Sequence, residues 1–152
     1  MHHLILAAVS AVITICLLKE KVTKMWKGGA IGVGIMLFAD SLNIKLNYYS
    51  YPEGILYFGA IPVFHTVYIY LISILFLNWN PRSWGRRILY TIYFSVLLLA
   101  LEAVMFSAGA IEYHNWKITY SYFVLIGGLL LMSYLYDIVT GNNSTRTQTT
   151  GQ

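Results

Sequence analysis

Residues 88–109 read ILYTIYFSVLLLALEAVMFSAG, an apolar run interrupted by a single charge, Glu102. A helix needs about 20 mostly apolar residues to cross the hydrocarbon core of a bilayer, and this stretch has them. Similar runs lie on both sides of it. Of 152 residues, 58% are hydrophobic and 11% charged, and the mean hydropathy is +0.63. Soluble domains carry about a quarter charged residues, so the apolar excess must face lipid. The fold class that follows is all-α: one integral membrane bundle.

Five spans are expected, at about 3–18, 28–46, 55–77, 88–109 and 118–139. The first ends at a cluster of Lys19, Lys21, Lys24 and Lys27. A signal peptide is its competing reading, but the positive n-region and the small-residue cleavage site are missing. The second is the least apolar, and a four-span bundle results if it is re-entrant or lies on the surface. Its pairs Gly28/Gly32 and Ala30/Gly34 have the small-xxx-small spacing that lets helix backbones approach. Pro62 lies inside the third run and is expected to kink it unless it falls in the first turns. Residues 140–152 are polar and aperiodic, expected as a disordered cytoplasmic tail. Asn142 and Asn143 fit a glycosylation pattern that matters only in a lumenal setting.

Charge sets the orientation. With five spans, one side receives Lys19, Lys21, Lys24, Lys27, Arg82, Arg86, Arg87 and Arg146, and the other only Lys45 and Lys117. The positive-inside rule then puts the N-terminus outside and the C-terminus in the cytoplasm of a cell-membrane protein. Tyr48, Tyr49, Tyr51, Tyr113 and Trp116 fall on the outer side, where they read as an aromatic belt. The net charge of +4 does not suggest a nucleic-acid reader, because the cations sit between apolar runs rather than on a solvated face. The single cysteine, Cys16, reads as a packed small hydrophobe. No phosphate loop, dinucleotide fingerprint or zinc helix occurs, so no cofactor and no metal is expected. The expected partners are the lipid bilayer and a second copy or another membrane protein.

Three ionisable side chains lie within spans: Asp40, His65 and Glu102. Charges near a bilayer centre are costly and usually face a bundle interior or a wet cavity. At about 1.5 Å per residue, Asp40 sits about 9 Å, Glu102 about 10 Å and His65 about 15 Å below the outer ends of their helices. Three helices thus place them in one outer layer, with His65 close to the midplane. Tyr68 stands one turn beyond His65. Tyr120, Gly127 and Tyr134 form a heptad-spaced stripe on the last helix, which could turn inward. Plainer readings stand beside the site: a solvated Asp40, a protonated Glu102 acting as packing glue, and a His65 bonded to a carbonyl freed by Pro62. A metal would need His114 or Glu112 as a further ligand. Glu112-Tyr113-His114 otherwise reads as a wet loop, His2 and His3 as solvated, and Asp137 as meeting water or a basic loop.

Three stretches carry a family likeness: Ile61-Pro62-Val63-Phe64-His65-Thr66 opening a span, Ile88-Leu89-Tyr90 opening the span with Glu102, and Gly109-Ala110-Ile111-Glu112-Tyr113-His114-Asn115-Trp116 after it. Together they resemble a family of small multi-span membrane proteins of spore-forming Firmicutes. That family shows a Pro and a His-Thr pair in one span, a Glu in the next, and a Tyr-His-Asn-Gly-Trp-like loop. The resemblance covers roughly residues 39–123, and this chain lacks the Gly before Trp116. It implies that His65, Glu102, His114 and Trp116 share a site, without naming its chemistry. A weaker likeness, from Tyr51-Pro52-Glu53 to Ile61-Pro62, is to the membrane lycopene cyclase domain. There Phe64-His65-Thr66 replaces the paired acids and removes the proton donors.

The functional expectation is a membrane bundle that binds a ligand or partner through Asp40, His65, Tyr68, Glu102, His114 and Trp116. The second is a membrane enzyme on a lipid or isoprenoid, with Glu102 as acid and His65 as base. The third is a small oligomeric transporter.

Overall fold

The computed structural model describes residues 2–19 and 21–141. The chain is mostly helical: α1 (His2–Leu18), the single turn α2 (Lys21–Lys24), α3 (Trp26–Lys45), α4 (Val63–Trp79), α5 (Trp84–Ser107) and α6 (Ile118–Thr140). Among the described residues four two-residue strands interrupt it: β1 (Tyr49–Ser50), β2 (Tyr57–Phe58), β3 (Ile61–Pro62) and β4 (Glu112–Tyr113). The helices α5 and α6 are each long and apolar enough to cross a membrane, while α1 and α4 are apolar but shorter. The expected tail shrinks from its front, because Thr140 still belongs to α6 and Gly141 caps it. Residues 142–152, with Asn142, Asn143 and Arg146, lie outside the described part.

The third expected span requires correction. Residues 55–62 are not helix; β2 and β3 pair antiparallel as a hairpin, and α4 begins only at Val63. Pro62 is the reason. Its φ of −64° and ψ of 134° are extended, and a residue without an N–H suits the approach to a helix better than its interior. No proline kink exists within α4, because Pro62 precedes it.

Side chains at the two ends define the bundle. At one end His3 of α1 reaches the Ala110 carbonyl, and Met105 of α5 clusters with Tyr49, Tyr51 and Ile111. At the other end Leu18 packs with Leu75, Arg87 bonds Asp137 at 2.7 Å, and Asn80 donates to Ser133. The five long helices therefore alternate in direction. α4 lies against α1 and α3, and α6 against α3 and α5. Phe76 of α4 stacks on Tyr90 of α5 with ring centroids 5.1 Å apart, closing a ring of α3, α4, α5 and α6. Lys21, Lys24 and Arg82 gather at the end opposite the strands, around the Arg87–Asp137 pair.

The bundle buries small polar side chains among its apolar core and leaves many large apolar ones exposed. Thr14, Ser73, Thr91, Ser95 and Ser133 are buried, while Val12, Ile15, Val96, Leu97, Val104 and Phe123 are exposed. Cys16 also faces outward on α1 rather than packing inside. The Tyr120, Gly127 and Tyr134 stripe likewise faces out. The inward face of α6 is instead Ser121, Gly128, Leu129 and Met132.

The glycines of α3 set the helix spacing. A Cβ on Gly28 would run into Leu77 and Tyr136, and one on Gly32 into Ser73 of α4. Nothing lies within 4 Å of a Cβ on Gly34, so the Gly28/Gly32 pair makes the close approach and Ala30/Gly34 does not. Gly32→Leu should therefore destabilise the bundle by about 1–3 kcal/mol through overpacking. Gly34→Leu should leave thermal unfolding in detergent nearly unchanged. Equal melting of the two variants would refute the close-packing assignment.

Candidate functional site

The ribbon formed by β1 and β4 joins the two loops at one end of the bundle, with Tyr49 opposite Tyr113 and Ser50 opposite Glu112. Side chains directly opposite share a face of such a ribbon, and residues two apart on a strand share a face as well. Tyr49, Tyr51 and Tyr113 accordingly point into the bundle. The aromatic belt expected of these residues is thus turned inward. Tyr49 and Tyr51 are buried, and Trp116 is half-buried beside them.

Each inward phenol meets a carboxylate. Tyr49 donates to Asp40 Oδ1 at 2.6 Å and Tyr51 to Oδ2 at 2.9 Å. Tyr113 donates to Glu102 Oε1 at 2.5 Å. Ser121 of α6 donates to the same oxygen at 2.5 Å and accepts from Trp116 Nε1 at 2.8 Å. Asp40 is 8% exposed, so the solvated reading of this residue is overturned. A buried carboxylate is tolerable only with such donors.

His65 joins the Asp40 half of the layer. Its Nε2 lies 3.3 Å from the Tyr51 hydroxyl and 3.6 Å from Asp40 Oδ2. Tyr51 spends its proton on Asp40, so Nε2 must carry the hydrogen in the His65 contact. The partner of His65 is therefore a phenol, not a carbonyl freed by Pro62. His65 is also not ten residues inside its helix. It stands in the first turn of α4, while Asp40 and Glu102 lie about 7.5 Å inside the ends of α3 and α5. The shared layer exists, and it is shallower than the sequence arithmetic placed it.

Below this layer is a cavity of about 210 Å³ between α3, α4, α5 and α6. Asp40, His65, Tyr68, Glu102 and Trp116 line its capped end. Ile35, Ile69, Leu101, Leu125 and Met132 line its trunk. Five of the six expected site residues are thus brought together. His114 is the exception. It lies on the surface, with Nε2 3.0 Å from Ser50 Oγ and its backbone N–H on the Tyr48 carbonyl. Glu112 is exposed on the ribbon. Among the described residues no three His, Cys, Asp or Glu converge as a metal-ligand group.

Sequence reasoning missed Tyr49, Tyr51, Tyr113 and Ser121 as donors. The alternation in Tyr49-Ser50-Tyr51, which reads as a half-buried strand, is the signal that could have found the first two. His3, expected in solvent, is buried, with its ring 5.4 Å from that of His65. His2 remains exposed and contacts Glu53 at 3.0 Å. Asp137 does meet a basic group, Arg87.

Comparison with known protein families, with characterised proteins and with solved structures finds no match to this chain.

The cap makes its own pH signature. Burial pushes Tyr49 and Tyr51 well above the ordinary tyrosine range, and the Asp40 charge pushes them further. Burial and the bond to Glu102 do the same for Tyr113. A raised folded-state value means that the native state holds these protons after the unfolded chain has released them. Their contribution is therefore fully present below about pH 10 and is lost as pH rises beyond it. Alkaline unfolding in detergent, followed by tyrosinate absorbance, should show these three phenols ionising only with loss of structure. Their ionisation near pH 10 in the folded protein would contradict the buried cap. A double-mutant cycle of Tyr113→Phe with Glu102→Gln should give a coupling of about 1.5–3 kcal/mol.

Proposed function

We propose that the chain is a multi-pass protein of the bacterial cytoplasmic membrane whose capped cavity binds a small amphipathic molecule. The five long helices cross the bilayer, with the ribbon end outside and the lysine and arginine end in the cytoplasm. The many exposed large apolar side chains of the helices and the collection of most basic residues at one end support this topology.

The observation that carries the binding reading is the grading of one cavity from polar cap to apolar trunk. Ligand sites are mostly apolar concavities with a few convergent polar groups, and this cavity has that composition. The likeness to the small multi-span proteins of spore formers fits the same reading at three of its four positions. His65, Glu102 and Trp116 face the cavity, and His114 does not. A second reading, acid–base chemistry on the bound molecule, is favoured by one observation. His65 and Glu102 face the same space from α4 and α5, the placement an acid and a base acting on one substrate require.

The test is native mass spectrometry of the full chain extracted from membranes in a mild detergent. A releasable small-molecule adduct is expected, and Gly128→Leu should lose it with its melting retained. A Cβ on Gly128 meets nothing nearer than Ile35, at 3.8 Å, so a larger side chain there fills cavity rather than backbone space. A chain without adduct, or an adduct that survives Gly128→Leu, would refute the reading. If the bundle is an enzyme, Glu102→Gln should keep an adduct but change its mass. For topology, a reporter active only outside the cytoplasm, fused after the last residue, should stay silent. Activity would reverse the orientation.

A further inference from the structure

The hydrogen bonds of the cap specify what the cavity can take. Tyr49, Tyr51, Tyr113 and Ser121 have all committed their protons to Asp40 or Glu102, and Trp116 has committed its N–H to Ser121. The acceptors are not used up to the same extent. Both bonds to Glu102 arrive at Oε1, and no donor among the described residues reaches Oε2. A carboxylate oxygen accepts at about two sites, so Oε2 is open to a donor on whatever enters the cavity, beside the Tyr68 hydroxyl that lines the same space.

Charge and ring chemistry point the same way. Two carboxylates and one histidine face the cavity, and among the described residues no lysine or arginine lines it. An anionic head group would meet like charge in a site of low dielectric constant, while a cation would be attracted. The rings of Tyr49, Tyr51, Tyr68 and Trp116 surround the same space, and aromatic faces attract cations directly. Below them the trunk descends from Asp40 to Gly32, about 12 Å along α3, between apolar side chains. That length suits a chain of several methylenes rather than a bare ion.

We infer that the occupant of this cavity is an amine-headed amphiphile, its ammonium group donating to Glu102 Oε2 under the tyrosine rings and its apolar chain lying in the trunk. This rests on the reading of the cavity as a ligand site and adds the class of ligand.

The experiment uses the full chain in nanodiscs of zwitterionic lipid at pH 7, titrated with decylamine, decanol and decanoate, with binding read by calorimetry. Gly128→Leu serves as the blank for partition into the bilayer. Decylamine should bind at least about tenfold more tightly than decanoate, and Glu102→Gln should reduce that preference by about tenfold. Asp40→Asn provides a second carboxylate variant should Glu102→Gln fail to fold, and the three probes on the unmodified chain need no variant at all. Decanoate binding as tightly as decylamine would overturn the inference while leaving the cavity a ligand site. An amine preference unchanged in both carboxylate variants would do the same. Binding of none of the three above the Gly128→Leu blank would overturn the ligand-site reading itself.

Discussion

The structure depends on the need to satisfy two carboxylates inside an apolar bundle. Asp40 on α3 and Glu102 on α5 cannot stay buried without donors, since an unpaired buried charge costs several kcal/mol. Their own helices offer none, because helix N–H groups are consumed internally. The donors come from elsewhere in the chain: Tyr49, Tyr51 and Tyr113 on the connecting segments, and Ser121 on the neighbouring helix. The pairing of β1 with β4 holds two of these segments together. In that pairing Tyr49 and Tyr113 sit opposite one another on a common face, one segment serving Asp40 and the other Glu102.

This arrangement ties packing to the shape of the cavity. The ribbon closes the bundle at one end, and the phenols that close it also become the ceiling of the cavity. The close approach at Gly28 and Gly32 draws α3 onto α4 and α6 near the opposite end. Cavity volume is left where the helices stay apart, between the tyrosine layer and that contact. Arg87, 3% exposed and bonded to Asp137, ties α5 to α6 at the same far end. The rigid end is therefore basic and closely packed. The end with the cavity is held by hydrogen bonds from connecting segments, the kind of element from which binding loops and gates are usually drawn.

Much of this was legible in the sequence because it depends on local rules. Apolar run length located four of the five long helices to within a few residues, small-residue spacing found the Gly28/Gly32 contact, and helical rise put Asp40, His65 and Glu102 in one layer. The errors share a cause. Residues 55–62 are as apolar as a span, yet Pro62 and the exposed Leu56 and Phe58 form a hairpin, and hydropathy alone cannot tell these apart. His65 was placed too deep for the same reason. The tyrosines were read as a belt because composition reports that aromatic residues sit at an end, while only the β1–β4 register reports which way they face. His114 belongs to the same motif-like stretch as Trp116. Both follow β4 (Glu112–Tyr113), in the irregular segment before α6, where His114 meets Ser50 at the surface and Trp116 lies over the cavity, and no spacing rule applied to the sequence anticipated the ribbon.

The most direct test of the account is an experimental structure of the full chain in a lipid nanodisc, by electron microscopy with a rigid fiducial bound at the basic end. The account predicts elongated density running from the gap between Asp40, His65 and Glu102 down toward Gly32, beneath a β1–β4 ribbon whose tyrosines contact both carboxylates. A collapsed bundle with side chains filling that space, or a ribbon unpaired and lying away from Asp40 and Glu102, would contradict it.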